Sequence, residues 1–369
     1  MSIVNVGQKF DFNDILIVPK IFTHIKSRYK NIELSNELPL MTAPMDTVVN
    51  TSNAHVFLNR GITVVLPRTV DYNTYYNYVF KYPKNNIFWS VGFEDLDNFY
   101  DNNFKHFPKY ANICIDTANG HMLRIIDYCR EIKRLRPDIK IMVGNIANPE
   151  TYSLYAKYDC VDYIRIGIGN GNGCLTTKQS GIGFPMASLI SEVYEQKQEF
   201  IKNNDIDIKH QNSILKTKPV KTIPAIVADG GMKDYADIIK ALALGADYVM
   251  IGSIFNKALE SCADNYLYGI KLNNKLAKYF FDKGYPVKKY FRGMSTKAAQ
   301  KAMGKTEFKT SEGIVRFRKV EYHLDGWVNN FNHYLRNAMS YTNSKKINDF
   351  IGNIEICEIS KSAYDRFNK

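Results

Sequence analysis

The sequence predicts an α/β fold, a TIM-type (β/α)8 barrel with a C-terminal extension, read as one domain over residues 1–369. Three observations predict it. Eight short runs rich in β-branched residues recur, most of them spaced by roughly 25 residues, the length of one βα unit. Amphipathic stretches at helical spacing lie between them. Glycine- or acid-bearing turns follow several of the runs, where a barrel of this kind gathers its chemistry.

The runs are Pro39–Ala43, Ile62–Leu66, Ile87–Val91, Asn112–Ile115, Ile139–Val143, Asp162–Ile166, Pro224–Ala228 and Tyr248–Ile251. Helical candidates include His121–Leu135 and Lys233–Leu244. In the second, Ile238, Ile239, Leu242 and Ala246 share a face, and Gly245 stands where a C-cap is expected. About sixty residues separate the sixth and seventh runs, far more than an ordinary crossover needs. That interval holds a glycine-rich loop, an expected helix Met186–Lys202, and a polar run 203–221 that reads as a surface insertion. Beyond the eighth run come Tyr290 to Thr296, a glycine-centred turn, then a strand-like Ile314–Val320 and an amphipathic helix around Trp327–Met339.

Turns at the run ends carry the candidate chemistry. After the sixth comes Gly167-Ile168-Gly169-Asn170-Gly171-Asn172-Gly173-Cys174-Leu175-Thr176. Glycines at alternate positions let backbone N–H groups turn onto an anion, and a cysteine among such donors tends toward the nucleophilic thiolate. The ordinary reading of a free cysteine is a small buried hydrophobe. Its delivery by a glycine-rich turn at a strand end favours catalysis. Asp229-Gly230-Gly231 after the seventh run and Gly252-Ser253 after the eighth stand where such barrels seat phosphate. Asp116 to Gly120 after the fourth run could hold a ribose or an amide, or form a plain Asx-turn. Gly144-Asn145 after the fifth and Pro44-Met45-Asp46-Thr47 after the first are ambiguous alone, and Glu260 reads by default as a solvated helix residue.

Composition narrows the class. With 45% hydrophobic residues the chain can bury a large core. No apolar run reaches the ~20 residues of a membrane helix. Asp11 and Asp14 interrupt any signal-peptide layout, which predicts a cytoplasmic protein. Six cysteines without CxxC pairs argue against zinc and against a disulfide framework, so no metal centre is expected. The net charge of +12 is spread rather than gathered in a stripe. It reads first as solvated surface, second as a field for an anionic nucleotide, and only third as a nucleic-acid footprint.

These segments, in this order, resemble landmarks of the IMP dehydrogenase/GMP reductase family: Phe12-Asn13-Asp14-Ile15-Leu16, Pro44 to Thr47, Asp116 to Gly120, Gly144-Asn145, the Cys174 loop, Asp229-Gly230-Gly231, Gly252-Ser253 and Gly293-Met294-Ser295. The resemblance covers nearly the whole chain. It implies a TIM barrel, a homotetramer, and a thioimidate between the cysteine and purine C2 of a nucleoside monophosphate. The dehydrogenase branch hydrolyses that adduct with an arginine on a long flap and typically carries inserted CBS domains. The reductase branch expels ammonia from GMP and accepts hydride from NADPH to give IMP. This chain has no room for the insertion after its third run and lacks an Arg-Tyr pair between Met294 and Glu312. Lys26-Ser27-Arg28, Ser311-Glu312-Gly313 and the run 336–350 also look like the reductase branch. A flapless dehydrogenase and a non-catalytic nucleotide-binding barrel are the alternatives.

Carried over position by position, the resemblance implies Cys174 as nucleophile, with Thr176 and Glu260 as the relay that protonates the departing ammonia. Asp229 would hold the ribose, with Asn172, Gly230, Gly231, Gly252 and Ser253 around the phosphate. Met294 and Ser295 would face the base, with Arg292 and Gly293 also binding substrate. Asp116, Ala118, Asn119, Asn145, Gly167 and Gly169 would lie on the nicotinamide side, and K+ at the Gly169–Cys174 loop. Three departures stand out. Asn172 and Gly173 replace a Ser and an aliphatic residue, which changes one phosphate donor. Leu66-Pro67-Arg68 replaces a His-Lys pair. Pro44 and Arg292 look like the dehydrogenase branch, whereas Phe291 looks like the reductase.

Overall fold

The computed structural model describes residues 7–82, 86–102, 111–171, 173–211, 222–303 and 313–367. Eight parallel strands form the central sheet: β1 (Leu40–Thr42), β2 (Val64–Leu66), β3 (Ile87–Val91), β4 (Asn112–Asp116), β5 (Lys140–Ile146), β6 (Tyr163–Ile166), β7 (Ala225–Asp229) and β8 (Tyr248–Ile251). Their spatial order runs β1-β8-β7-β6-β5-β4-β3-β2. Thr63 closes the ring, donating its N–H to Leu40 and accepting from Thr42, both at 3.0 Å. All eight lie within or beside the expected runs.

Side-chain parity sorts the strands into two packed layers. Met41, Val65, Phe88, Cys114, Met142, Tyr163, Val227 and Met250 point inward and fill the barrel. Their neighbours, such as Leu66, Ile113, Val143, Ile164 and Val249, point outward under the helices. One inward step toward the C-terminal end of the strands brings Asp116, Arg165 and Asp229. Parity alone therefore aims three charged side chains into the barrel mouth.

Helix boundaries follow caps that are partly remote in sequence. The helix expected from His121 begins at Leu123, because the Asn119 side chain accepts the His121 N–H and holds a turn first. Asp234 caps Tyr235–Ala243 by accepting from Asp237 N–H at 3.0 Å, and Gly245 follows at φ +117°. The helix starting at Met186 continues to Gln211, so the first part of the polar run 203–221 is helical; 212–221 lie outside the described residues.

After β8 the chain builds a second sheet. It is antiparallel, in the order Ile270–Leu272, Asn265–Leu267, Lys288–Arg292, Val315–Lys319. The sequence reading anticipated only the last of these. The first two are three-residue strands joined at Tyr268-Gly269, both at positive φ (+50° and +86°), the geometry of a type I′ hairpin. A tyrosine in place of the usual Asn or Asp hides that turn. The helix Leu324–Tyr341 then returns to the barrel. Trp327 stacks on Phe331 (5.7 Å) and Tyr235 (5.2 Å), which joins the C-terminal extension to the main core. Ile15–Ile17 pairs antiparallel with Ile356–Glu358. No described helix is long and apolar enough to cross a membrane.

Candidate active site

A cavity of about 510 Å³ opens at the C-terminal ends of the barrel strands. Its floor is an ion-pair bridge. Arg165 is only 4% exposed, and its two terminal nitrogens reach Asp116 Oδ1 and Asp229 Oδ2, each at 2.7 Å. Burial opposes its charge, but Asp229 and Asp116 hold the guanidinium well above the ordinary arginine range. Asn145 adds a second donor to Asp229 Oδ2 at 2.8 Å and also donates to Gly167 O at 2.7 Å. Both Nδ2 hydrogens are thereby committed, which fixes the amide orientation and leaves Oδ1 as an acceptor. Arg68 lines the same wall and donates to Asp116 O at 3.1 Å; among the described residues it has no carboxylate partner.

The opposite wall is the cysteine loop. Cys174 is half-buried, with Sγ 3.1 Å from Thr176 Oγ1. A bond from Cys174 N–H to Gly171 O (2.9 Å) tightens the turn, and Ile314 N–H bonds Gly173 O at 3.2 Å. The loop is thus pinned to the segment leading into Val315–Lys319. Gly169 (φ +81°) admits no side chain, because a Cβ there would lie 1.7 Å from Thr177 Oγ1. Met232, Met250, Phe291, Met294 and Met303 complete an apolar lining around these polar groups, the usual make-up of a small-molecule site.

Fifteen of the expected site residues meet on this one cavity: Cys174, Thr176, Asp229, Gly230, Gly231, Gly252, Ser253, Gly293, Met294, Ser295, Asp116, Ala118, Asn145, Gly167 and Gly169. Three do not line it. Arg292 is held by a two-point ion pair with Asp46. Asn119 caps the turn at His121. Glu260 accepts from Leu324 N–H and from His323 Nδ1, both at 2.9 Å, while His323 Nε2 faces Asp282 at 2.8 Å. An imidazole between two carboxylates donates from both nitrogens, and although burial opposes it, these bonds raise the His323 pKa. Asn172 lies outside the described residues.

Sequence reasoning missed Arg165 and the cavity position of Arg68. The legible signal for Arg165 was a basic residue inside an apolar strand, on the same parity as inward Tyr163. Such a charge demands partners.

A family model described as the IMP dehydrogenase / GMP reductase domain matches residues 109–366. A GMP reductase of Caenorhabditis elegans is 25% identical over 377 residues, covering 97% of this chain and 94% of the relative. GMP reductase 2 of Mus musculus is 25% identical, with 92% and 91% covered. An inosine-5'-monophosphate dehydrogenase of Borreliella burgdorferi is 29% identical over 255 residues, covering 68% of this chain but 55% of the relative.

Proposed function

We infer reductive chemistry on a purine nucleotide from one premise: the chain belongs to the IMP dehydrogenase/GMP reductase family. The reading is NADPH-dependent reductive deamination of GMP to IMP and ammonia, in the cytoplasm, as a step of purine salvage. The observation that carries it is the half-buried Cys174 thiol beside the Thr176 hydroxyl, facing a cavity of nucleotide size with glycine turns at β7 and β8. Coverage favours the reductase branch: the reductases match along 91–94% of their length, the dehydrogenase along 55%.

In this reading Cys174 attacks purine C2, and Thr176 positions and exchanges the proton of the departing ammonia. Asp229, oriented by Arg165 and Asn145, binds ribose hydroxyls through Oδ1, which takes no hydrogen bond from the described residues. Glycines 230, 231 and 252 with Ser253 seat the phosphate, and Met294 and Ser295 face the base. Asp116, Ala118 and Asn145 line the same cavity, and Asn145 Oδ1 would accept from the carboxamide N–H of a nicotinamide. When bound, NADPH would supply a hydride to C2 once ammonia has left, and the Cys174–C2 bond breaks with its electron pair returning to the thiolate. Glu260 joins the relay only if it exchanges its bonds to Leu324 and His323. The K+ expectation rests on the resemblance, since Gly171 O in that loop is bonded by Cys174 N–H. A homotetramer is the matching assembly, expected at four times the 42.4 kDa chain mass by light scattering.

Incubation with GMP plus NADPH, against IMP plus NAD, tests the reaction at the nicotinamide absorbance band. NADPH loss with stoichiometric ammonia supports it; NAD reduction by IMP instead assigns the dehydrogenase, and no turnover with retained GMP binding assigns a binding protein. Cys174→Ala should abolish turnover and keep GMP binding.

A further inference from the structure

The strand pair Lys288–Arg292 and Val315–Lys319 carries six cations and no carboxylate. Its register sets Lys288 directly across from Lys319, and Lys289 across from Arg318. Like charges opposite each other on a ladder are destabilising. Two of the six are accounted for: Arg292 by Asp46, and buried Lys289 by the carbonyls of Ser261 (2.6 Å) and Ala263 (3.2 Å). Arg316 and Arg318 form no ion pair with any described residue. Both guanidiniums instead lie on one ring, that of Phe291, at 5.4 and 5.2 Å from its centroid. Burial and the neighbouring Arg316 push Arg318 below the ordinary arginine range.

That ring belongs to the cavity. Phe291 is 1% exposed, lines the site, and lies so close to Gly173 that a Cβ there would come within 3.2 Å of its Cε1. Arg318 Nη1 also reaches Ser253 O at 3.0 Å. Neither arginine lines the cavity itself: Arg318 reaches its wall through Ser253, and both cations stack on the Phe291 ring, beside the turns at which the proposed function seats a phosphate.

We propose that Arg316 and Arg318 form a phosphate-binding pair at the Gly173–Ser253 edge of the cavity. A phosphate monoester dianion between two guanidiniums takes charge-assisted bonds from both and offsets the repulsion between these two neighbouring cations. The backbone amides of the glycine turns orient the group; the arginines supply the net charge that amides lack. The assignment of this phosphate to the nucleotide rests on the proposed function, and the NADPH phosphates are the other source of the same chemistry.

The test compares the parent protein with Arg316→Gln, Arg318→Gln, the double variant and the two lysine variants, titrated with GMP, guanosine, NADPH and NADH. Arg316 is exposed, and thermal melts confirm that each variant folds. Loss of one charged hydrogen-bond donor is expected to weaken GMP about tenfold or more per arginine. Guanosine should stay within about twofold and lysine should restore part of the loss. If the double variant spares GMP and erases a preference for NADPH over NADH, the pair binds the cofactor's phosphate. GMP and NADPH both unchanged in a folded double variant overturns the proposal, as does guanosine weakened as much as GMP. Should the parent bind neither GMP nor IMP, the nucleotide reading fails. Inorganic pyrophosphate binding to parent against double variant then decides the arginine pair alone.

Discussion

Arg165 is the residue on which the site's electrostatics turn. It neutralises two carboxylates that would otherwise repel each other across the barrel mouth, and it fixes the orientation of Asp229. Arg165→Met leaves the half-buried Asp116 and Asp229 without their counter-charge and is expected to cost about 2–3 kcal/mol in urea denaturation. Arg165→Lys keeps the charge and loses the two-point fork, so it should retain more stability while KM for nucleotide still rises. Glu260 poses a different question, since its carboxylate caps the helix Leu324–Tyr341. Glu260→Gln is expected to lower kcat with KM little changed if the relay reading holds. A fall in melting temperature with kcat intact assigns it to the cap instead. Neither Arg165 nor the Glu260–His323 contact was legible as a site feature in the sequence. Each depends on partners more than 45 residues away along the chain. By contrast Cys174, Thr176 and the glycine turns were legible as cavity candidates, because each is written within its own short loop.

The helix Tyr235–Ala243 shows how an element's own ends carry a pH dependence. Asp237 is 5% exposed near the capped end, and burial together with Asp234 raises its pKa from 3.8 to about 6. A carboxyl raised on folding keeps a proton that the unfolded chain releases. The stability tied to its neutral form is present below pH 3.8 and is lost as pH rises through about 6. Asp237→Asn keeps an acceptor for Lys233 N–H. It should match the parent near pH 4 and exceed it by about 3 kcal/mol above pH 7, measured by denaturant titration at each pH. Strands were the most legible elements, since β-branched runs alternate in and out of one sheet. The Asn265–Leu272 hairpin was not, because three-residue strands carry no periodicity and its turn lacks the usual residues. The helix Met186–Gln211 outran its expected end because the polar run 203–211 holds no Gly or Pro to stop it.

At the scale of the whole molecule, a net charge of +12 surrounds a cavity read as binding anions. Raising salt from about 20 to 200 mM shortens the Debye length from roughly 20 to under 10 Å, so kcat/KM for GMP should fall several-fold with kcat nearly unchanged. The sequence by itself determined the barrel, its eight strands and the loop that presents the cysteine. Each of these is written in patterns shorter than one βα unit, through β-branching, alternation and glycine placement. Only the tertiary structure decided which charges meet: Arg165 with Asp116 and Asp229, Glu260 with His323, Arg316 and Arg318 on Phe291. Closing a ring of parallel strands and adding a second sheet and a returning helix bring residues far apart in the chain together, and no local pattern encodes which of them will face each other.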